Sequence, residues 1–331
     1  MTRRDLILLG AVAAAILVAP VFASGYVLGI LVTTGLYGIA TIGLVLLVGL
    51  AKQVSLGHAA FYGLGAYVSG LLGTRLGLHP LVTIPLAAAA AGAVAYLVGR
   101  PVLRLRGHYL AMATLGLGVV FQVILNEWVD VSRGPSGFSG IASIAVPIPG
   151  MTRDGRTLYV IWAVALAILA LSLWLVRSRA GRALRAIGDS EIASELLGIG
   201  TATWKLRVFA LSAAYAGIAG ALYAHYVTFL SPQPFGFVFS LELLVMAVVG
   251  GIASVWGGMI GAFTIVVLTE VLRRSLPSSL PGASGELELV LFGAALIAMV
   301  VVWPTGLAGI AASIGARVTP RLRRALRPAH G

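Results

Sequence analysis

The chain has 331 residues, of which 59% are hydrophobic and only 10% charged, with a mean hydropathy of +1.01 and a formal net charge of +12. Such a composition excludes a soluble globular domain and marks an all-α integral membrane protein. With no cysteine, disulfides, thiolate metal sites and cysteine nucleophiles are excluded; the five histidines lack ligand spacing, so no metal or cofactor is expected. The basic residues mostly flank apolar runs, which fits membrane orientation rather than nucleic-acid binding.

Leu6 to Ala23 follows Arg3 and Arg4 and, at 1.5 Å per residue, reaches about 27 Å, enough to span a bilayer. A cleaved signal peptide is the alternative, since Val21 and Ala23 fit a small-residue cleavage pattern; the length of the run and Pro20 inside it favour a span. Tyr26 to Leu50 is the second predicted span, turning at Lys52. The third, Gln53 to Leu72, follows at once and is rich in small residues, with Gly57, Gly63, Gly65 and Gly70 allowing close helix approach. Gln53, Ser55 and His58 place polar groups at its start. At membrane depth such groups are costly unless they face protein or a water-lined path, so they are candidates for a translocation route; an interfacial, solvated position beside Lys52 is the other reading.

Leu81 to Gly99 is the fourth span, closed by Arg100, Pro101, Arg104 and Arg106. The fifth, Tyr109 to Asn126, carries Thr114, Gly116, Gly118 and Gln122. Thr114 and Gln122 join the path candidates, while the glycines suit helix packing. Residues 127–158 form a long loop punctuated by Gly134, Pro135, Gly137, Pro147, Pro149 and Gly150. The sixth span, Tyr159 to Val176, leads into the one long polar interruption, residues 177–207. There Asp189 is predicted to cap a helix over Ser190 to Leu197, with Glu191 in its first turn and Gly198 ending it in a left-handed turn. A helix of about two turns is marginal alone and needs something to dock against. Ile192, Leu196 and Ile199 share one face, and Glu191 and Glu195 on another are free for a basic partner. An amphipathic linker lying on the lipid surface is the competing reading.

Val208 to Phe229 is the seventh span, with Ala213, Ala216, Gly217, Gly220, Ala221 and Ala224 forming a small-residue face. Phe237 to Val255, Met259 to Leu272 and Leu287 to Trp303 complete about ten transmembrane helices, followed by a basic tail within residues 304–331. Glu242 is the one carboxylate clearly inside an apolar span, at a cost of about 2.5 to 3.5 kcal/mol if central. It is therefore expected near the external end, lining the mouth of a path, contacting the amino group of a zwitterionic substrate, or paired with a neighbouring helix. Ten spans put both termini on one side. That side carries seventeen Lys and Arg against six on the other, which makes both termini and the segment 177–207 cytoplasmic and the loop 127–158 external.

The motifs then point to a family. GRALRAIGDSEIASELLGI (Gly181 to Ile199) resembles the cytoplasmic coupling loop of permease subunits of binding-protein-dependent ABC importers, on Gly181, Arg182, Glu191, Ala193 and Gly198. VSLGHAAFYGLGAY (Val54 to Tyr67), RLRGHYLAMATLGLG (Arg104 to Gly118), GPSGFSGI (Gly134 to Ile141), the stretch Trp204 to Phe235 and WPTGLAGI (Trp303 to Ile310) resemble the branched-chain amino acid importers, in particular the M-type permease. The likeness covers most of Gly49 to Gly309. It implies one permease domain over residues 1–331, in the bacterial inner membrane, forming the path for branched-chain amino acids. It also implies a second, H-type permease, two cytoplasmic ATP-binding subunits docking on Asp189 to Gly198, and an external substrate-binding protein. The chain has no Walker loop and no G-x-S-x-G or H-E-x-x-H motif, so a non-catalytic subunit is expected. A permease for urea or short amides, a secondary transporter or channel, and a membrane enzyme are the alternatives. The last two lack the mid-membrane carboxylates or convergent acid, base and metal groups they require.

Overall fold

The computed structural model describes residues 3–105, 107–144, 152–275, 293 and 306–309. Twelve helices dominate: α1 (Arg3–Phe22), α2 (Gly25–Val45), α3 (His58–Leu76), α4 (Pro80–Val102), α5 (His108–Glu127), α6 (Val129–Ser132), α7 (Arg153–Arg177), α8 (Arg179–Asp189), α9 (Glu191–Leu196), α10 (Thr201–Val227), α11 (Phe237–Gly250) and α12 (Val255–Ser275). Seven are long and apolar enough to cross a membrane: α1, α2 with the turn that extends it to Leu50, α4, α5, α7, α10 and α12. Nine predicted spans fall on described residues, and the two outside this set are α3 and α11. α3 has 19 residues, among them four Gly, two Tyr, one His and one Ser. α11 has 14 and reaches only about 21 Å against a hydrocarbon core of about 30 Å. The tenth predicted span apart from Gly293, half of the closing WPTGLAGI motif, Arg106 and the basic tail lie outside the described residues.

Local chemistry explains the boundaries. Pro80 opens α4 at its first position, where its missing N–H costs nothing, and His79 Nδ1 accepts from Leu81 N at 3.3 Å. Gly77 ends α3 in a left-handed turn at φ 64°. Thr152 caps α7 through Gly155 N, so this helix starts at Arg153, not at Tyr159, and the long loop before it is shorter than the sequence suggested. The third span also starts later than predicted. α2 widens into a π turn at Leu46–Leu50, Lys52 takes φ 53°, and residues 53–57 are not helical, so α3 begins at His58. Polar side chains gather at this start and satisfy the N–H groups that a continuous helix would have satisfied itself.

The centre of the bundle is α2, α3 and α10. In the apolar windows of α2 and α10, 78% and 67% of residues are buried, against 11% for α1, which lies at the edge. The small-residue faces read from the sequence meet here. A Cβ on Gly65 would lie 2.5 Å from Gly217 Cα, one on Gly217 would lie 2.6 Å from Ala91 Cβ, and one on Gly220 would collide with the Tyr62 carbonyl. α10 therefore packs backbone to backbone along α3 and α4. α11 and α12 cross in the same way, where Gly261 meets the Met246 carbonyl. Two-residue strands β1 (Phe138–Ser139) and β2 (Phe229–Leu230) pair antiparallel, with Phe138 opposite Leu230, and hold the α5–α7 loop against the end of α10.

Candidate translocation path and coupling segment

Four of the predicted path residues converge at the start of α3. Gln53, Ser55, His58 and Thr114 are 5%, 1%, 0% and 1% exposed, so the interfacial, solvated reading does not hold: these groups face protein. His58 Nδ1 lies 2.9 Å from Ser55 Oγ and its Nε2 lies 2.6 Å from Ser212 Oγ. Each hydroxyl can donate or accept, so the ring is satisfied whichever nitrogen carries the proton. Leu56 N donates to Thr114 Oγ1 at 3.0 Å, and Ala59 N donates to Ser240 Oγ at 2.9 Å. Side chains from α5, α10 and α11 thus clamp the N-terminal end of α3 in place of the missing helical turn. Gln53 Oε1 is buried without a hydrogen-bond partner among the described residues.

The other two path candidates lie elsewhere. Gln122 is eight residues beyond Thr114, about 12 Å along α5, and packs on Gly236, where a Cβ would come 3.0 Å from its Nε2. Glu242 lines a separate cleft of about 430 Å³ with Tyr26, Tyr37, Asp154, Tyr226 and Glu270. Among the described residues it forms no ion pair, so the expected pairing with a neighbouring helix is not found. Glu270 instead pairs with Arg274 at 3.6 Å, and that arginine stacks on Tyr26 at 3.9 Å.

The segment 177–207 contains two helices rather than one. Ser178 reverses the chain after α7: its Oγ donates to Leu175 O at 2.7 Å and accepts from Gly181 N at 3.3 Å. Gly181 sits so close to the Leu175 and Val176 carbonyls that no side chain fits there. Arg182 is exposed and donates from Nη1 to Arg177 O at 3.2 Å. α8 buries Leu184 and Ile187, and Gly188 rests on the Leu50 carbonyl and the Lys52 stem, so the segment is seated on the break between α2 and α3. Asp189 is the last residue of α8. The cap of α9 is Ser190, whose Oγ accepts from Ala193 N at 3.2 Å; Asp189 is occupied in the preceding helix, which the sequence reading did not anticipate.

Gly198, at φ 79°, ends the turn after α9, and Ile199 N closes back on Ser194 O at 3.0 Å. Neither glutamate is free. Glu191 pairs with Lys205 at 2.7 Å, and Glu195 Oε1 accepts from Thr201 Oγ1 at 2.7 Å, which pins α9 to the start of α10. What α9 and its C-cap present outward is mainly apolar: Ile192, Leu196 and Leu197 are 73%, 84% and 79% exposed, with Ala193 and the Thr201-bonded Glu195 also exposed. Ile199 turns half inward, so Leu197 replaces it in this face.

Sequence reasoning missed Ser212 and Ser240, the hydroxyls that hold the start of α3, and Tyr37, Asp154 and Tyr226 beside Glu242. Lone serines inside otherwise apolar stretches were the available signal.

Comparison with known proteins then decides the family. The profile described as "Branched-chain amino acid transport system / permease component" matches residues 26–300. The chain belongs to this permease family. The permease is 34% identical over 298 residues to the high-affinity branched-chain amino acid transport system permease protein LivM of Salmonella typhimurium, covering 83% of this chain and 68% of that one. It is 33% identical to the Escherichia coli LivM over the same shares. With the Salmonella typhimurium LivH it shares 29% identity over 288 residues, 82% of this chain and 91% of that one. No solved structure matches the permease.

Proposed function

We propose that the permease is the M-type transmembrane subunit of a binding-protein-dependent ABC importer and forms the path for branched-chain amino acids. Its partners in this reading are an H-type permease, two cytoplasmic ATP-binding subunits and an external substrate-binding protein. It spans the bacterial inner membrane about ten times with both termini cytoplasmic, and it carries out no chemistry itself. The family and the names of the relatives support the cargo.

The observation that carries the mechanism is α9: a six-residue helix, too short to persist alone, pinned by Lys205 and Thr201 and holding three apolar side chains out of the protein. Such a face suits a groove on an ATP-binding subunit. Motion imposed on α9 would pass to α8, from α8 through Gly188 to the α2–α3 break, and so to the clamped start of α3. Gln53, Ser55, His58, Thr114, Gln122 and Glu242 are the path candidates in this reading, Glu242 at the external mouth. Ala193→Arg places bulk and charge in the middle of the apolar face. The variant permease should reach the membrane and retain its fold, yet lose copurification of the ATP-binding subunit together with uptake. Full copurification and normal uptake would leave α9 as a linker on the lipid surface.

A further inference from the structure

The edge of the bundle holds a two-part cavity that the transport reading does not use. Its larger part, about 760 Å³, runs between α1, α7 and α12 and is walled by Leu8, Val12, Leu169, Met259, Ile260 and Phe263. Its smaller part, about 180 Å³, shares Asp5, Arg177, Ser254 and Trp256 with the larger one and reaches Leu46 and Leu50 of the π turn. Arg4 stands at the same end, and Asp5 pairs with Arg177 at 2.5 Å.

We infer that this cavity holds one anionic glycerophospholipid, with an acyl chain in the apolar part and the phosphate at the charged end. The cavity is long enough: from Arg177 to Trp162, its limits along α7, is fifteen residues or about 22 Å, which exceeds the about 15 Å of half a hydrocarbon core and leaves room for the glycerol and phosphate at the charged end. The charge fits as well. Two arginines against one aspartate leave a net positive end, and guanidinium groups recognise phosphate oxygens by paired hydrogen bonds. The position fits too, because Arg4, Asp5 and Arg177 lie at helix ends, where a bilayer places its headgroups, and α1 buries the smallest share of its length within the chain among the described spans, 11%. Bound there, the headgroup lies against the break between α2 and α3.

The test is native mass spectrometry of the delipidated, detergent-purified permease titrated with phosphatidylglycerol or phosphatidylcholine. The wild type should take up one phosphatidylglycerol at a concentration at least ten-fold below that needed for phosphatidylcholine. Arg4→Gln should abolish the ten-fold preference, and Val12→Trp, which fills the apolar part, should remove both lipids while the thermal midpoint is kept. Equal uptake of the two lipids by the wild type, unchanged uptake by Val12→Trp, or a polypeptide occupying the site in place of lipid would overturn the inference. None of these readings depends on the cargo or on the ATP-binding subunits, so failure here is separable from failure of the transport reading.

Discussion

Leu196→Ala tests whether the apolar face of α9 is a contact. The side chain is 84% exposed, so its truncation removes almost no internal packing and should change stability by less than about 0.5 kcal/mol. If the same side chain is buried by an ATP-binding subunit, three carbons lose their contacts. At about 0.8 kcal/mol per buried CH₂, discounted for the small part already covered, the loss is about 2 kcal/mol. That is about a thirty-fold weaker dissociation constant. The assay is titration of the purified ATP-binding subunit against the permease in nanodiscs, with thermal unfolding run on the same preparations. Leu97→Ala, on the outward side of α4 and 64% exposed, is the matched control and should bind normally. An unchanged constant for Leu196→Ala would refute the contact, because no other apolar group on α9 is more exposed. A large fall in the unfolding midpoint would refute the premise that the side chain faces outward.

Three further outcomes follow from the same geometry. His58→Ala strips Ser55 and Ser212 of their partner, and at about 1 to 3 kcal/mol for each unsatisfied buried group it should lower the unfolding midpoint in detergent well below that of His58→Gln, whose amide both donates and accepts; equal midpoints for wild type and alanine would contradict the clamp. Gly220→Leu drives a side chain into the Tyr62 carbonyl and should abolish monodisperse protein on size exclusion, whereas Gly116→Ala, with open space around it, should behave as wild type. Because the chain has no cysteine, Ser136→Cys gives a single reactive site on an exposed turn, expected to react with a membrane-impermeant maleimide from outside; labelling only from the cytoplasmic side would overturn the proposed topology.

Membrane residence, seven of the predicted spans and the pairing of small-residue faces were legible in the chain, because each depends on local composition. A run of about twenty apolar residues can satisfy its backbone in lipid only as a helix, and a row of glycine and alanine on one face has no use except close approach. The same reasoning found Gly198, since a left-handed turn after a short helix needs a residue without Cβ. It also found the polar group of Gln53, Ser55, His58 and Thr114, since polar atoms at membrane depth demand a reason.

What only the tertiary structure decided was partnership. The start of α3 could not be read, because the hydroxyls that hold it, Thr114 on Leu56 N, Ser212 on His58 and Ser240 on Ala59 N, come from α5, α10 and α11, distant in sequence. The cap passed from Asp189 to Ser190 because α8 occupies residues 179–189, where no helix was predicted, held by burial of Leu184 and Ile187 that no local pattern announces. Glu191 and Glu195 were read as free on helical spacing alone, yet Lys205 and Thr201 on the next helix engage them and leave a mainly apolar rather than an acidic surface. Local periodicity says which way a side chain can point; only the fold says what it meets there.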